Sequence, residues 1–581
     1  MTGSQVIVLA TPVFLLLIAA ELAWGLARGT NVYRLNDAIS SISLGVLSQL
    51  VGLFTKLLAI GIYTAVYHSV ALFPEHALWS TWYGILLALV FYDFCYYWLH
   101  RTGHEVALFW AAHVVHHQSE AYNLSTALRQ TSSGNLLGWI FYLPMAIAGV
   151  PPLLFAIVAL VDLLYQFWVH TELVGKLGWF DRVFCSPSNH RVHHAINDAY
   201  LDKNYGGILI VWDRMFGSFR EEREKCIYGT RSALRSWDPL WANAEVYWSL
   251  LRASWSTQGL GNKIRVWFMP PGWRPANVAL TEPKPAFDIR QVETFNPPLD
   301  RASAWFASAQ FLLLLAGVLL VLWFAVEWSR AATAISSATL VTCYWAMGAV
   351  LQKRLSILGA LLVQSAALST ATSALALADL HHLFKPLTMV IAMLLVLRRS
   401  AVPGMPIQRK GLLLAALLAS LAGDMFLMLP ANWFIPGLAS FLVAHLFYVS
   451  LFRSGQVWFP SRRALVATLA FGVAMLAFLW GGLGNNALKA AVAAYVAVIA
   501  LMAAQAIGRA TVLRDAQSIA VALGACIFML SDSLIAVNRF VTPIPLAGLW
   551  VLSSYYLAQI LIVLNSTTQS DEGDKARLRS G

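Results

Sequence analysis

Nine of the chain's fourteen histidines fall between His100 and His194. Their spacing is helical. His100 and His104 are i and i+4, while His113, His116, His117 and again His190, His193, His194 are i, i+3 and i+4. Each group can therefore project from one helical face, so eight imidazoles on three faces can hold two metal ions, with His170 as a ninth candidate ligand. Imidazole suits iron, zinc, copper and nickel alike, so spacing leaves the metal open. Nitrogen-rich ligation at a dinuclear centre is better matched to O2 activation than to a closed structural zinc. A lone membrane-proximal histidine is more often a hydrogen-bonded packing residue, an expectation that three clusters in one stretch reverse.

A second set of residues is acidic. Asp424 lies 13 residues into the apolar run 411–429 and Asp532 lies 14 into 518–536. If both helices run outward, the two carboxyls share one depth, roughly 20 Å from the inner end. An acid inside a membrane is costly and marks a functional site by default. The competing role is a carboxyl neutralised by a neighbour to fix helix packing.

The elements that must position these groups follow from composition. Of 581 residues 59% are apolar and 12% charged, and the mean hydropathy is +0.64. Secreted, fibrous and disordered classes are excluded, and an all-α polytopic membrane protein is expected, because only helices satisfy their own backbone in lipid. The five cysteines, Cys95, Cys185, Cys226, Cys343 and Cys526, show no CxxC spacing and are expected as packing residues, not disulfides or thiolate ligands. A net charge of +11 is read as a topology signal, with no nucleic-acid partner. Spans are expected at 6–27, a retained anchor with no cleavage pattern, and at 42–66 and 78–99. A partly inserted hairpin at 136–169 is broken by Pro151-Pro152, and a water-facing stretch over 170–305 comes next. Ten further spans begin with 306–326 and 332–350. Loops 398–410, 453–463, 508–517 and the tail after 565 hold twelve Lys/Arg, against two in 430–435, 484–489 and 537–545. The first set is thus expected in the cytoplasm, and counting helices backwards puts the histidine-rich, di-metal helical domain there too, with a multi-helix membrane bundle C-terminal to it.

The histidine segments resemble a known superfamily. His100-Arg101-x-x-His104-Glu105, Trp110-x-x-His113-x-x-His116-His117 and Ser186-Pro187-Ser188-Asn189-His190-Arg191-Val192-His193-His194 look like the three boxes of fatty acid hydroxylases and sterol desaturases. The linking segments, from Glu120-x-Tyr122-Asn123 through Arg129-Gln130, Asp202-Lys203-Asn204-Tyr205-Gly206-Gly207 and Trp212-Asp213-Arg214-x-Phe216-Gly217, resemble the alkylglycerol monooxygenase family over about residues 1–370. The resemblance implies a membrane oxygenase with two non-haem irons that uses O2 and tetrahydrobiopterin to hydroxylate the carbon beside an ether oxygen, releasing a fatty aldehyde. The chain has no GxGxxG cofactor site with the boxes, so a diffusible pterin or another outside donor must supply electrons. Glu105 is the candidate for binding the pterin or supporting an imidazole, and it can equally be a solvated helix charge. Asn189 stands where some relatives carry a further histidine.

Residues of about 371–566 resemble the lysoplasmalogenase family through Lys385-Pro386-Leu387, Gly423-Asp424, Phe441-Leu442-x-Ala444-His445-x-x-Tyr448, Ser531-Asp532-Ser533 and Tyr555-Tyr556-x-x-Gln559. That family's implied reaction is vinyl ether hydrolysis, which begins by protonating carbon and so needs a buried general acid. Asp424 and Asp532 are the candidate acid and base, and Lys385 and His445 the candidate groups for a phosphate head or for tuning the pair, unless Lys385 only snorkels to the interface. A polar tail, 567–581, is expected to be disordered. Two other readings compete: a sterol or fatty-acyl hydroxylase or desaturase, and a transporter in which the aspartates couple protons and the histidines have no role. The expected location is a bacterial inner membrane.

Overall fold

The computed structural model describes residues 2–74, 77–281, 283, 287–398, 407–429 and 433–566. The expected polar tail 567–581 and most of loop 398–410 lie outside the described residues. Among the described residues there is no strand, only two isolated bridges, and thirteen helices are long and apolar enough to cross a membrane. The fold is all-α and the protein is an integral membrane protein. The chain divides into two compact units, Met1–Thr333 with Met347–Arg354, and Ala334–Ala346 with Leu355–Gly581.

In the first unit the opening helix, Gly3–Ala27, buries almost nothing along its apolar run, as a lipid-facing span does. Leu35–Val70 extends the expected 42–66 span at both ends. Trp82–Glu105 begins at Thr81, whose hydroxyl accepts the Gly84 N–H at 3.1 Å, and runs past the apolar stretch to carry His100 and His104 near its end. Leu99–Glu105 holds no proline, and Arg101 pairs with Glu105 one turn on at 2.9 Å, so the helix ends only at the extended Val106. The first arm of the expected hairpin is not one helix. It is three short pieces, Gly134–Leu137, Gly138–Tyr142 and Leu143–Ile147, and the second arm is the single helix Pro152–Trp168. Gly149 closes the first arm at φ +88°, and a Cβ there would strike the Phe73 carbonyl, so only glycine lets the chain turn so close. The stretch 170–305 contains two helices that hydropathy alone misses, Pro239–Ser256 and Leu260–Phe268. They leave Trp248, Trp255, Ile264 and Phe268 exposed beside Lys263 and Arg265, the composition of helices that lie along a membrane surface.

The second unit is a helix bundle. Ile407–Met428 packs on Phe434–Arg453, and Ala516–Phe540 on Ala547–Asn565. Small residues make these approaches: Ala416, Ala444, Ala525 and Ala558 are fully buried between helices. Ser356, Ser461, Asn485 and Asp515 cap helix starts, each accepting a backbone N–H of the first turn.

Candidate functional site

The third box folds as a short helix because its own sequence starts and stops it. Ser186 accepts the Asn189 N–H at 3.4 Å, Pro187 sets the first φ, and Ala195 leaves in an extended conformation. All eight residues of Pro187–His194 are buried, an unusual fate for so polar a run unless its imidazoles share a purpose. The second box is Val114–His117 with His113 at its cap, and the first is the end of Trp82–Glu105.

The nine histidines form two groups. His100, His104, His113, His117 and His193 make one, and His116, His170, His190 and His194 the other; within each, all ligand nitrogens lie within 4.8 Å of one another. His170 belongs fully to the second group. The second and third boxes do not each present a single face: i and i+4 residues stay together, whereas the i+3 residues His116 and His193 turn to the other group. A rotation of about 300° for three residues against 400° for four separates them by about 100° around the helix, and on helices this short and buried both directions lead to histidines. The rings of His117 and His194 stack at 4.3 Å between the two groups.

These groups fit metal ions. His116 and His170 each place Nδ1 against a backbone carbonyl, Arg129 at 2.9 Å and Gln166 at 2.8 Å, which puts the single imidazole proton on Nδ1. Yet their Nε2 atoms face each other at 3.1 Å, two lone pairs with no proton between them. His190 Nε2 stands 3.1 Å from His170 Nε2 and 3.2 Å from His194 Nε2. Two imidazole nitrogens each about 2.1 Å from one ion at a right angle sit about 3 Å apart, so a shared cation accounts for the spacing. In the other group His113 and His117 present Nε2 atoms at 3.1 Å, and the buried Nε2 atoms of His100, His104 and His193 have no hydrogen-bond partner among the described residues. Burial holds His170, His190, His193 and His194 well below the usual imidazole range and His116 down to about 4, so they stand as neutral donors.

The segment 202–205 supports the first group. His193 Nδ1 meets the Lys203 carbonyl at 3.1 Å, His100 Nδ1 the Tyr205 carbonyl at 2.8 Å, and His104 Nδ1 the Asp202 carboxylate at 3.5 Å. Asp202 and Asn204 both sit at φ +57°, a left-handed backbone that their short polar side chains tolerate. Asn204 is tied down by donating to the carbonyls of Asn189 and Arg220 and accepting the Arg220 N–H. Asp213 accepts the N–H groups of Tyr205 and Gly206 at 2.8 and 2.7 Å. Asp93, on the first-box helix, accepts the N–H groups of Ile208 and Leu209 and the indole N–H of Trp212. Gly207 passes so close to this carboxylate that a Cβ would lie 2.9 Å from its oxygen. Glu105 stays at the surface, half-exposed and paired with Arg101 at 2.9 Å, outside both histidine groups. Sequence reasoning missed Asp93, although its signal, one acid inside an apolar run, is the signal that singled out Asp424 and Asp532.

In the second unit both aspartates line one cavity of about 230 Å³ with Lys385. Lys385 does not snorkel: it is buried, with Nζ 3.3 Å from Asp424, whose other oxygen accepts the Tyr555 hydroxyl at 2.7 Å. Asp532 accepts the Tyr495 hydroxyl and lies 3.4 Å from His445 Nε2, which is itself 2.9 Å from the Tyr495 oxygen. Tyr495 is the residue of this set that no sequence motif pointed to.

The comparisons with known proteins agree with this division. The fatty acid hydroxylase profile matches residues 85–218 and the YhhN family profile 380–566. Alkylglycerol monooxygenase of Homo sapiens is 40% identical over 313 residues, 53% of this chain and 69% of the relative, and that of Danio rerio is 40% identical over 318 residues, covering 68% of it. Lysoplasmalogenase TMEM86A of Bos taurus is 31% identical over 166 residues, 28% of this chain and 68% of the relative. No solved structure matches. With three histidine boxes gathered into two buried nitrogen clusters and these relatives covered over two thirds of their length, the chain belongs to the alkylglycerol monooxygenase family of iron-dependent membrane monooxygenases, fused to a domain of the lysoplasmalogenase family.

Proposed function

We propose that the first unit cleaves the alkyl ether bond of glycerol ether lipids and that the second hydrolyses the vinyl ether bond of lysoplasmalogens, both releasing fatty aldehyde. The observation that carries the first half is the pair of buried nitrogen clusters whose facing lone pairs call for two cations. Two irons held by His100, His104, His113, His117 and His193, and by His116, His170, His190 and His194, would supply O2 activation. Insertion of one oxygen atom into the C–H bond beside the ether oxygen, with two electrons and two protons reducing the other to water, gives a hemiacetal that collapses to aldehyde and alcohol. A tetrahydropterin is the electron donor in this reading. The carbonyls of Arg129, Gln166, Lys203 and Tyr205 keep each ring's proton on Nδ1 and its lone pair on the metal side. Glu105, exposed one residue beyond His104, offers a carboxylate to the N–H groups of a pterin arriving from water. Buried surroundings exclude water from the histidine clusters and protect the chemistry from side reactions. The twelve-to-two charge asymmetry of the C-terminal loops supports a metal site facing the cytoplasm, and the membrane in this reading is a bacterial inner membrane.

In the second unit, Asp424 is held by Lys385 at 3.3 Å and by the Tyr555 hydroxyl at 2.7 Å, and Asp532 is linked through Tyr495 and His445. A carboxyl pair on one cavity gives vinyl ether hydrolysis its acid and its base without metal or reductant. The deciding experiment assays purified full-length protein on an alkylglycerol and on a lysoplasmalogen, each with and without tetrahydropterin, alongside metal analysis. Expected are iron, pterin-dependent cleavage of the first lipid and pterin-independent cleavage of the second. Asp424→Asn and Asp532→Asn should each abolish only the second. Alkylglycerol turnover that ignores pterin would remove the donor assignment, and Asn variants that cleave vinyl ether normally would remove the hydrolase assignment.

A further inference from the structure

Two cavities flank the helix Ala516–Phe540. One is polar, with His381, Lys385, Asp424, Asn538 and Tyr555 among its walls. The other is walled almost wholly by apolar side chains, including Phe471, Met475, Val492, Met529, Ala536 and Phe540. Leu427, Phe441, Ile535 and Asp532 line both, and of these four only Asp532 can exchange a proton. From Asp532 to Phe540 the apolar wall runs along eight residues, about 12 Å of helix.

We propose that this unit takes a single-chain lipid with its hydrocarbon chain in the apolar pocket and its polar head in the cavity of Lys385 and Asp424, so that Asp532 donates the proton and Asp424 activates the water. The proposal rests on the hydrolase reading and adds to it a substrate orientation and a division of labour. An apolar pocket beside a charged one suits an amphiphile, and Asp532, in the wall of both, stands where chain and head would meet. In an alkenyl ether, R–CH=CH–O–R′, the oxygen lone pair raises electron density on the carbon farther from oxygen, on the chain side. That carbon takes the proton. The carbon beside the oxygen then bears the positive charge and takes water, and the hemiacetal expels R′OH and leaves R–CH2–CHO. The proton donor must therefore stand towards the chain and the base towards the head. Asp532 borders the chain pocket, whereas Asp424 lines only the polar cavity, where Lys385 at 3.3 Å and the Tyr555 hydroxyl at 2.7 Å suit an anion. One water is consumed; the proton Asp424 takes from it returns to Asp532 across the cavity that both line, and neither residue changes over a cycle.

The test uses the full chain without pterin and a series of lysoplasmalogens differing only in alkenyl chain length. Ala536→Phe, one turn beyond Asp532, should lower the ratio of long-chain to short-chain kcat/KM at least tenfold. Met475→Ala, which widens the pocket, should shift the optimum to longer chains, and it serves if the Phe variant does not fold. Asp532→Asn should lower kcat by about 10²–10⁴ while KM is kept. Competition by a saturated 1-O-alkyl lysolipid, which proton transfer cannot cleave, reads binding separately. Wild-type cleavage with an unchanged chain-length ratio in both pocket variants would overturn the chain placement and leave the hydrolase reading intact. A kcat for Asp532→Asn within tenfold of wild type would overturn its role as donor. No cleavage by wild type, with binding of the saturated lipid still chain-selective and shifted by Ala536→Phe, would overturn the hydrolase reading and the acid assignment while upholding the chain placement.

Discussion

Replacing Asn204 by alanine should loosen the iron site without touching a ligand. The side chain is fully buried and makes three hydrogen bonds, to the Asn189 and Arg220 carbonyls at 3.0 and 2.8 Å and from the Arg220 N–H at 2.7 Å. At about 1 kcal/mol each their loss costs about 3 kcal/mol, and alanine also tolerates the φ of +57° less well than asparagine. The cost falls on a particular place, because the residues on either side of Asn204 supply the carbonyls that hold His193 and His100. Once those carbonyls wander, each ring loses its fixed tautomer and aim, and a support of this kind is worth about 10- to 100-fold in metal affinity. Iron content after graded chelator competition, measured with alkylglycerol turnover, is the assay. Asn204→Gly separates the two causes: it relieves the backbone but restores no hydrogen bond, so it should lose iron nearly as readily as the alanine variant. If Asn204→Ala keeps its iron within threefold of wild type at every chelator concentration, the segment 202–205 is not a support for the cluster.

The same geometry carries further expectations. His117→Ala and His194→Ala should each remove metal and monooxygenase turnover together, because each opens one group and breaks the stacked contact between them; iron analysis of the purified variants checks this. Acidification should weaken the fold around the third box: burial pushes the Glu222 carboxyl up, but hydrogen bonding and charge from Arg191 outweigh it and hold the group below its ordinary value. Its contribution is thus present above the unfolded value of about 4.3 and lost as pH falls through the lower folded value, and Arg191→Met should flatten that part of a pH-dependent melting curve. Leu240→Cys and Val457→Cys, both at exposed positions, should label from the same side of the membrane with an impermeant thiol reagent; labelling from opposite sides would break the assigned topology.

The spans were legible because the pattern that marks them is dictated by the bilayer and needs no neighbour. So was the gathering of the histidines, since eight of the nine stand at helical spacing in three groups. Their sorting into groups was not legible. Which way His116 or His193 turns depends on how the short helices Val114–His117 and Pro187–His194 pack, a tertiary matter that spacing leaves open. The same limit explains Tyr495, which sits among ordinary apolar neighbours in its own helix and gains meaning only from Asp532 across the bundle. Lys385 was ambiguous between surface and interior until its partner at Asp424 was located. Asp93 carried a legible signal, one acid in an apolar run, but the dense histidines downstream of it masked that signal.

The alternation of ligands along the two short box helices also bears on how such a chain can change over evolutionary time. A substitution at one histidine takes a single ligand from a single ion. A one-residue insertion or deletion between His113 and His116, or between His190 and His193, rotates every residue beyond it by about 100° and takes histidines from both groups at once. These two stretches should therefore admit changes of side chain at their non-histidine positions but no change of length. The variation in length that homologous proteins accumulate would collect instead in the connections between the boxes, where no single turn of helix serves two metals.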